Sequence, residues 1–183
     1  MPHLMHLYEP GGVYFISSTT YLRLPVLEAD PPKLLLVQDF EFYRKKFSYE
    51  LYLFVVMPDH GHWVIRPSPD DFKRFKVEQI ESNGKYAAEP ERFYLSKIME
   101  DLQRHHAFAV NQSRGERGLK VWGRGFHDEK IRDESHFHAV ADYIHNNPVK
   151  AGLVDRPEDY CFSSYRNIYL GDNSLIALDP MPF

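Results

Sequence analysis

The succession of apolar and polar positions divides the chain into alternating strands and helices. The stretch 11–20 (GGVYFISSTT) is rich in β-branched and aromatic residues and predicts a first strand. Pro31-Pro32 marks a turn. A helix is expected over 33–46, with Leu34, Leu35, Val37 and Phe42 toward the core. The run 51–57 (LYLFVVM) is continuously apolar and stops at Pro58-Asp59, which predicts a central strand covered on both faces. The segment 60–66 (HGHWVIR) follows at once, so the two form a hairpin. The stretch 67–91 is polar, carries Asn83-Gly84 and several prolines, and reads as a long loop or an insertion with some helix. Leu95, Ile98, Met99 and Leu102 recur at i, i+3, i+4, i+7 and predict a helix over 95–112. A turn at 114–118 and a strand pair or extended segment over 121–132 follow. A second strong helix over 134–146 is closed by Pro148. Strand, helix, hairpin, helix, strand, helix is an α+β pattern, a mostly antiparallel sheet with helices packed on it.

Composition narrows the class. A chain of 183 residues that is 43% hydrophobic and 26% charged has the size and balance of one soluble domain spanning 1–183. No apolar run approaches the roughly 18 residues of a membrane span, so no membrane partner is expected. The opening Met1-Pro2-His3-Leu4-Met5-His6 lacks the basic and apolar regions of a secretory leader. Cys161 is the only cysteine, which excludes an internal disulfide and suits a cytoplasmic location. The net charge of −4 argues against a protein that coats nucleic acid. Charge is uneven, however: 97–132 carries eight Lys/Arg against five Asp/Glu, while the part from Asp155 onward carries five acids and two arginines. A local basic face on an acidic chain fits a brief, site-directed contact with a polyanion; it also fits an ordinary solvated surface.

Two short strings carry candidate chemistry. His60 and His62 stand at i and i+2 of a strand and so project from one face, with Trp63 and Ile65 on the other. Gly61 between them removes side-chain bulk. Two neutral imidazoles with an open side make a partial metal site, and an added oxygen ligand widens the choice from zinc to manganese or magnesium. A surface histidine pair after a turn is the plainer alternative. On the second helix Phe137, Val140, Ala141 and Ile144 form the core stripe, while His138, Asp142 and His145 lie on the solvent side. Tyr143 sits about 110° from the centre of that stripe, on a shoulder shared with His136, and Asn147 follows one turn on. A boundary tyrosine and a helix-capping asparagine would look the same.

Taken together the strings resemble the HUH single-tyrosine transposases, in particular the REP-associated tyrosine transposases of bacteria. The likeness rests on Val56-Met57-Pro58-Asp59-His60-Gly61-His62, Val121-Trp122-Gly123-Arg124-Gly125-Phe126-His127-Asp128, Ile131-Arg132-Asp133-Glu134, Ser163-Ser164-Tyr165 and above all Tyr143-Ile144-His145-Asn146-Asn147-Pro148-Val149-Lys150-Ala151-Gly152-Leu153-Val154. The resemblance implies a ferredoxin-like α+β sandwich with the histidines on a central strand. It implies that His60, His62 and Asn147 bind a divalent metal (Mg or Mn), and that Tyr143 is the nucleophile. It implies single-stranded DNA with a hairpin as substrate, a monomer or homodimer, and a nucleoid-associated protein of the bacterial cytoplasm.

Tyrosine suits such chemistry. Its ordinary pKa of about 10 lies well below the roughly 15.7 of water. Phenolate is therefore easier to form as a nucleophile and easier to expel when a 3′-hydroxyl reseals the strand. His136 or Lys150 is a candidate to assist the proton transfer. Arg104, His105, Arg114, Arg117, Lys120 and Arg124 are candidate phosphate contacts. Arg124 leads because its flanking glycines would let a phosphate approach the backbone. Trp122, Phe126, Phe72 and Phe75 are candidates to stack on unpaired bases. Two other functions compete: a domesticated, non-cutting DNA-binding module of the same fold, and a nucleotide metallohydrolase. Val64, where a histidine-triad hydrolase would carry a third histidine, counts against the last.

Overall fold

The computed structural model describes residues 7–183; the opening residues 1–6, read above for a leader, lie outside the described residues. The elements are β1 (Tyr14–Thr19), α1 (Asp30–Phe47), β2 (Glu50–Val56), β3 (His60–Arg66), α2 (Pro69–Glu81), α3 (Pro90–Ser113), β4 (His127–Lys130), α4 (Glu134–Lys150) and α5 (Tyr165–Leu170). The four strands form one antiparallel sheet in the order β2-β3-β1-β4. That order, on a β-α-β-β-α-β path, is the ferredoxin-like arrangement.

Strand alternation decides what each face meets. On one face Trp63 of β3 packs on Phe40 of α1, ring centroids 5.2 Å apart, and Ser18 of β1 accepts a hydrogen bond from Gln103 of α3 at 3.0 Å. On the other, Tyr52 of β2 meets Phe137 of α4 edge-on at 6.3 Å, and Phe15 of β1 meets Tyr143 at 6.1 Å. The sheet is thus a layer between α1 and α3 on one side and α4 on the other. Burying Trp63, fully enclosed here, makes this layer costly to disturb: truncation to Ala would lose about 3–5 kcal/mol.

Several expectations are corrected. The run 51–57 forms an edge strand, not a central one. It is fully buried because the C-terminal segment caps its free edge: Val56 N donates to Phe162 O, Ser164 N to Phe54 O and Asp179 N to Leu51 O. Capping an edge in this way satisfies the ladder and removes a template for aggregation. The segment 67–91 is not a long loop; of the two alternatives, the one with some helix holds, as α2 occupies its first half. Ser68 caps α2, its hydroxyl accepting from the backbone N–H of Asp70 and Asp71, and Phe72 and Phe75 bury against Tyr94 of α3. In α1 the prolines occupy the first turn, where their missing N–H costs nothing, and the core face is Leu36, Val37, Phe40, Tyr43 and Phe47. Leu34 and Phe42 are exposed. Helix α4 runs through Pro148 to Lys150. Pro148 deprives only Ile144 O of a donor, and the last turn closes through Ala151 N to Asn147 O at 3.0 Å and Leu153 N to Pro148 O at 3.0 Å. Gly152, at φ +68°, then breaks the helix in the left-handed conformation that favours glycine.

Candidate functional site

The site is built where β3, β1 and α4 meet. β3 lies between β2 and β1, so its side chains are held on both sides; His60 stands opposite Thr19 and His62 opposite Ser17. Alternation points both imidazoles to the α4 face, as the i, i+2 spacing predicts. Their rings lie 4.9 Å apart, edge to face. Phe15, two positions before Ser17 on the same face of β1, stacks on His62 at 5.3 Å and fixes its plane.

Helix α4 starts at Asp133, whose carboxylate accepts from His136 N at 2.8 Å, and its apolar stripe seats it on the sheet. Tyr143 then falls at the rim, 43% exposed, with its hydroxyl 3.3 Å from His62 Nε2. The shoulder geometry expected from the helical wheel thus brings Tyr143 and a histidine of the same chain together. Lys150 lies over the Tyr143 ring, its ammonium 5.7 Å from the centroid. His136 is turned away toward Glu129, at 3.4 Å. Neither His136 nor Lys150 hydrogen-bonds to the phenol among the described residues; the nitrogen in contact with it is His62 Nε2. Asn147 is half-buried one turn beyond Tyr143; among the described residues its side-chain amide hydrogen-bonds to none.

Electrostatics keeps the His62 imidazole open to a cation. Burial pushes His62 down to about 3, aided by the neighbouring His60 and Arg23, so the ring stays neutral. Its Nδ1 is buried without a partner. His60 Nδ1 lies 2.6 Å from the Asp59 carboxylate, which also takes Arg23 at 3.2 Å. Burial works against the charged Asp59, but the bonds from His60 and Arg23 outweigh it and hold its pKa below the usual range. The carboxylate takes up Nδ1 of His60 and leaves Nε2 as the ring atom facing outward from that contact. This carboxylate–histidine arrangement is the one that orients metal ligands. Two imidazole nitrogens each about 2.1 Å from one ion put the ring centroids about 5 Å apart, close to the spacing found. The pair fits a divalent ion. Among the described residues no third His, Cys, Asp or Glu joins it, so a further protein ligand has to come from an amide such as that of Asn147 or from a hydroxyl.

The DNA candidates fare unevenly. Trp122 is buried and donates its indole N–H to His106 Nδ1 at 3.1 Å, so it cannot stack on a base. Phe72 and Phe75 are core residues. Arg104 is held on Asp101 at 2.8 Å and His105 on Asp39 at 2.6 Å, both on the α1–α3 side of the sheet, away from Tyr143. Arg114 donates to Val26 O at 2.8 Å. Lys120 is exposed, its ammonium 5.0 Å over Tyr21, and Arg124 is exposed with no ion-pair partner among the described residues. Gly123 is small because it lies on the β1 backbone, its N–H donating to Thr19 O at 2.8 Å, and a Cβ there would meet that oxygen at 3.1 Å. This contact sets Arg124 beside the end of β1 that pairs with His60.

Asp59, Arg23 and Phe15 were missed by sequence reasoning. Asp59 had a signal, a carboxylate immediately before a candidate ligand in a tight turn. Arg23 and Phe15 reach the site only through strand pairing.

No protein-family model matches the chain. It is 24% identical over 168 residues to the REP-associated tyrosine transposase of Escherichia coli (strain K12), covering 90% of this chain and 83% of the relative. It is 23% identical over 163 residues to a protein of Haemophilus influenzae named "Putative REP-associated tyrosine transposase", covering 86% of this chain and 82% of that one. Its fold matches a solved REP-associated tyrosine transposase bound to a REP hairpin, with a TM-score of 0.64 and 21% identity over 100% of this chain and 91% of the other. Along most of its sequence, and in its fold, the chain is similar to the REP-associated tyrosine transposases.

Proposed function

We propose that the chain is a DNA strand transferase that cuts and rejoins single-stranded DNA beside a hairpin through Tyr143. The observation that carries this reading is the Tyr143 hydroxyl standing 3.3 Å from His62 Nε2, with His60 alongside, in a chain similar to tyrosine transposases. The solved neighbour's REP hairpin supports a hairpin as the substrate.

A Mg²⁺ or Mn²⁺ ion held by His60, His62 and Asn147 would neutralise a non-bridging phosphate oxygen and align the phosphorus for in-line attack. Tyr143 Oη forms the new O–P bond as the P–O3′ bond breaks; the phenol gives up its proton, and the departing 3′ oxygen takes one. As a ligand of that ion His62 has no free lone pair on Nε2 for the phenol's proton, which passes to solvent. Phe15 holds the His62 ring and the α4 stripe holds Tyr143, so the reacting groups are positioned before substrate arrives. Reversal by a 3′-hydroxyl expels the phenolate and reseals a strand without an external energy source.

Incubation with end-labelled hairpins carrying single-stranded flanks, in Mg²⁺ or Mn²⁺, should give a denaturant-resistant protein–DNA adduct that a chelator abolishes. Tight binding of the same DNA with no adduct in either metal would instead make the chain a non-cutting binder.

A further inference from the structure

Immediately after β1 the chain makes a tight reverse turn closed by Leu24 N donating to Tyr21 O at 3.1 Å, in which Leu22 (φ +54°, ψ 23°) and Arg23 (φ +53°) are both left-handed. Leucine has neither glycine's freedom nor the short polar side chain that makes this region tolerable for asparagine. The surroundings impose the conformation. Thr20 N donates to Asp59 O at 2.8 Å, the Thr20 hydroxyl reaches Leu24 O at 2.6 Å, and Tyr21 N donates to Val121 O at 2.9 Å. The strain gains no burial: Leu22 is 74% exposed and Leu24, beside it, 49%. A strained backbone that holds an apolar side chain in water points to a partner outside the fold.

Position and charge identify that partner. Arg23 binds Asp59, and Asp59 meets His60, so these two contacts join the turn that carries Leu22 to the histidines. The bond to Val121 draws in the segment 114–124, which carries Arg114, Arg117, Lys120 and Arg124 against Glu116 alone. An apolar tip framed by cations suits a polyanion with exposed ring faces, which is unpaired DNA. Resting on the function proposed above, we infer that Leu22 is a wedge that packs against the first unpaired base where the hairpin gives way to its single-stranded flank. Lys120 and Arg124 meet the adjoining phosphates. The wedge sets how far from the hairpin the scissile phosphate lies when it reaches Tyr143.

Leu22→Gly removes the wedge and relieves the turn. It should raise the melting temperature by about 2–4 °C. Affinity for a flanked hairpin should fall about tenfold, while affinity for the same hairpin without a flank stays nearly unchanged. Leu22→Trp should preserve binding to the flanked hairpin. A 2-aminopurine at the first flank position should change fluorescence on binding the wild type, and much less with the glycine variant. Unchanged affinity of Leu22→Gly for the flanked hairpin, an equal loss on the unflanked one, or a lowered melting temperature would each overturn the inference. Adduct formation by the wild type separates the two levels: adduct with an indifferent Leu22 sinks the wedge alone, whereas no adduct sinks the strand-transfer reading and the wedge with it.

Discussion

Asp59 holds the His60 ring through a 2.6 Å contact to Nδ1, and its removal is the sharpest test of the metal assignment at residue scale. Asp59→Asn should leave the chain folded but weaken Mn²⁺ binding about 10–100-fold by calorimetric titration. Unchanged affinity would show that the carboxylate orients no ligand. His106 offers a separate test, far from that pair. It is fully buried, with Nε2 on Pro32 O at 2.9 Å and Nδ1 accepting from Trp122, so both ring nitrogens are satisfied only in the neutral form. Burial, chiefly, pushes it down to about 4. The unfolded chain therefore takes up this proton first as pH falls. Stability from this residue is complete above about pH 6.5 and declines toward pH 4, by at most about 3 kcal/mol. Asp39, pushed up to about 6 by burial, works in the opposite direction between about pH 3.8 and 6. Denaturant melts of wild type and His106→Gln across that range should show the wild type losing stability relative to the variant as pH falls from about 6.5 toward about 4; parallel profiles would refute the assignment. Residue-scale reading of the sequence succeeded where one element decides direction, as for His60, His62 and Tyr143. It failed where another element supplies the cover. His145, expected on the solvent side, is 2% exposed because α5 lays Tyr165 and Tyr169 over it and Ser164 Oγ lies 2.9 Å from its Nε2.

At the scale of elements, periodicity located the strands and helices but not their neighbours. β2 looked central because it is apolar on both faces, and nothing local distinguishes a central strand from an edge strand sealed by the C-terminal segment. Ser164 is the clasp of that seal. Its hydroxyl accepts from Phe54 N at 3.0 Å and meets His145, joining β2, the C-terminal segment and α4. Ser164→Ala leaves the buried Phe54 N–H without that acceptor and should cost about 1–3 kcal/mol in chemical denaturation. It should also speed hydrogen exchange along β2. A loss confined to α5, with β2 still protected, would mean that the edge is held by other bonds. α1 was misread for a different reason: Leu34 and Phe42 are as apolar as the residues that pack, and the burial face is chosen by contact with β3 and α3, which the helix's own sequence does not reveal.

At the scale of the whole molecule, an acidic chain sets Arg23, Lys120 and Arg124 near the end of β1 that pairs with His60. Such a layout favours a few phosphate contacts over broad adhesion. A hairpin with a single-stranded flank should bind more tightly than a blunt duplex of equal length, with a modest salt dependence of about −0.7 in log–log slope per phosphate contact. Arg124→Ala should weaken binding to different flanks about equally and reduce that slope by roughly one contact's worth. Equal affinity for blunt duplex and flanked hairpin would contradict the substrate. The global order of elements was legible in the sequence. The approach of 114–124 to β1, and with it the setting of Lys120 and Arg124 and the burial of Trp122, depends on pairings across about 100 residues, such as Thr20 with Trp122, that no local pattern records. The central claim is that one tyrosine of this chain becomes bonded to DNA. Tyr143 makes a single long hydrogen bond through its hydroxyl and is partly exposed, so Tyr143→Phe should change stability by less than about 1 kcal/mol. The decisive measurement is peptide mass spectrometry of the adduct after protease and nuclease digestion. A residual nucleotide on the peptide that contains Tyr143, absent from a folded Tyr143→Phe variant, is the predicted result. Adduct that persists in the variant, or maps to another residue, would contradict the account.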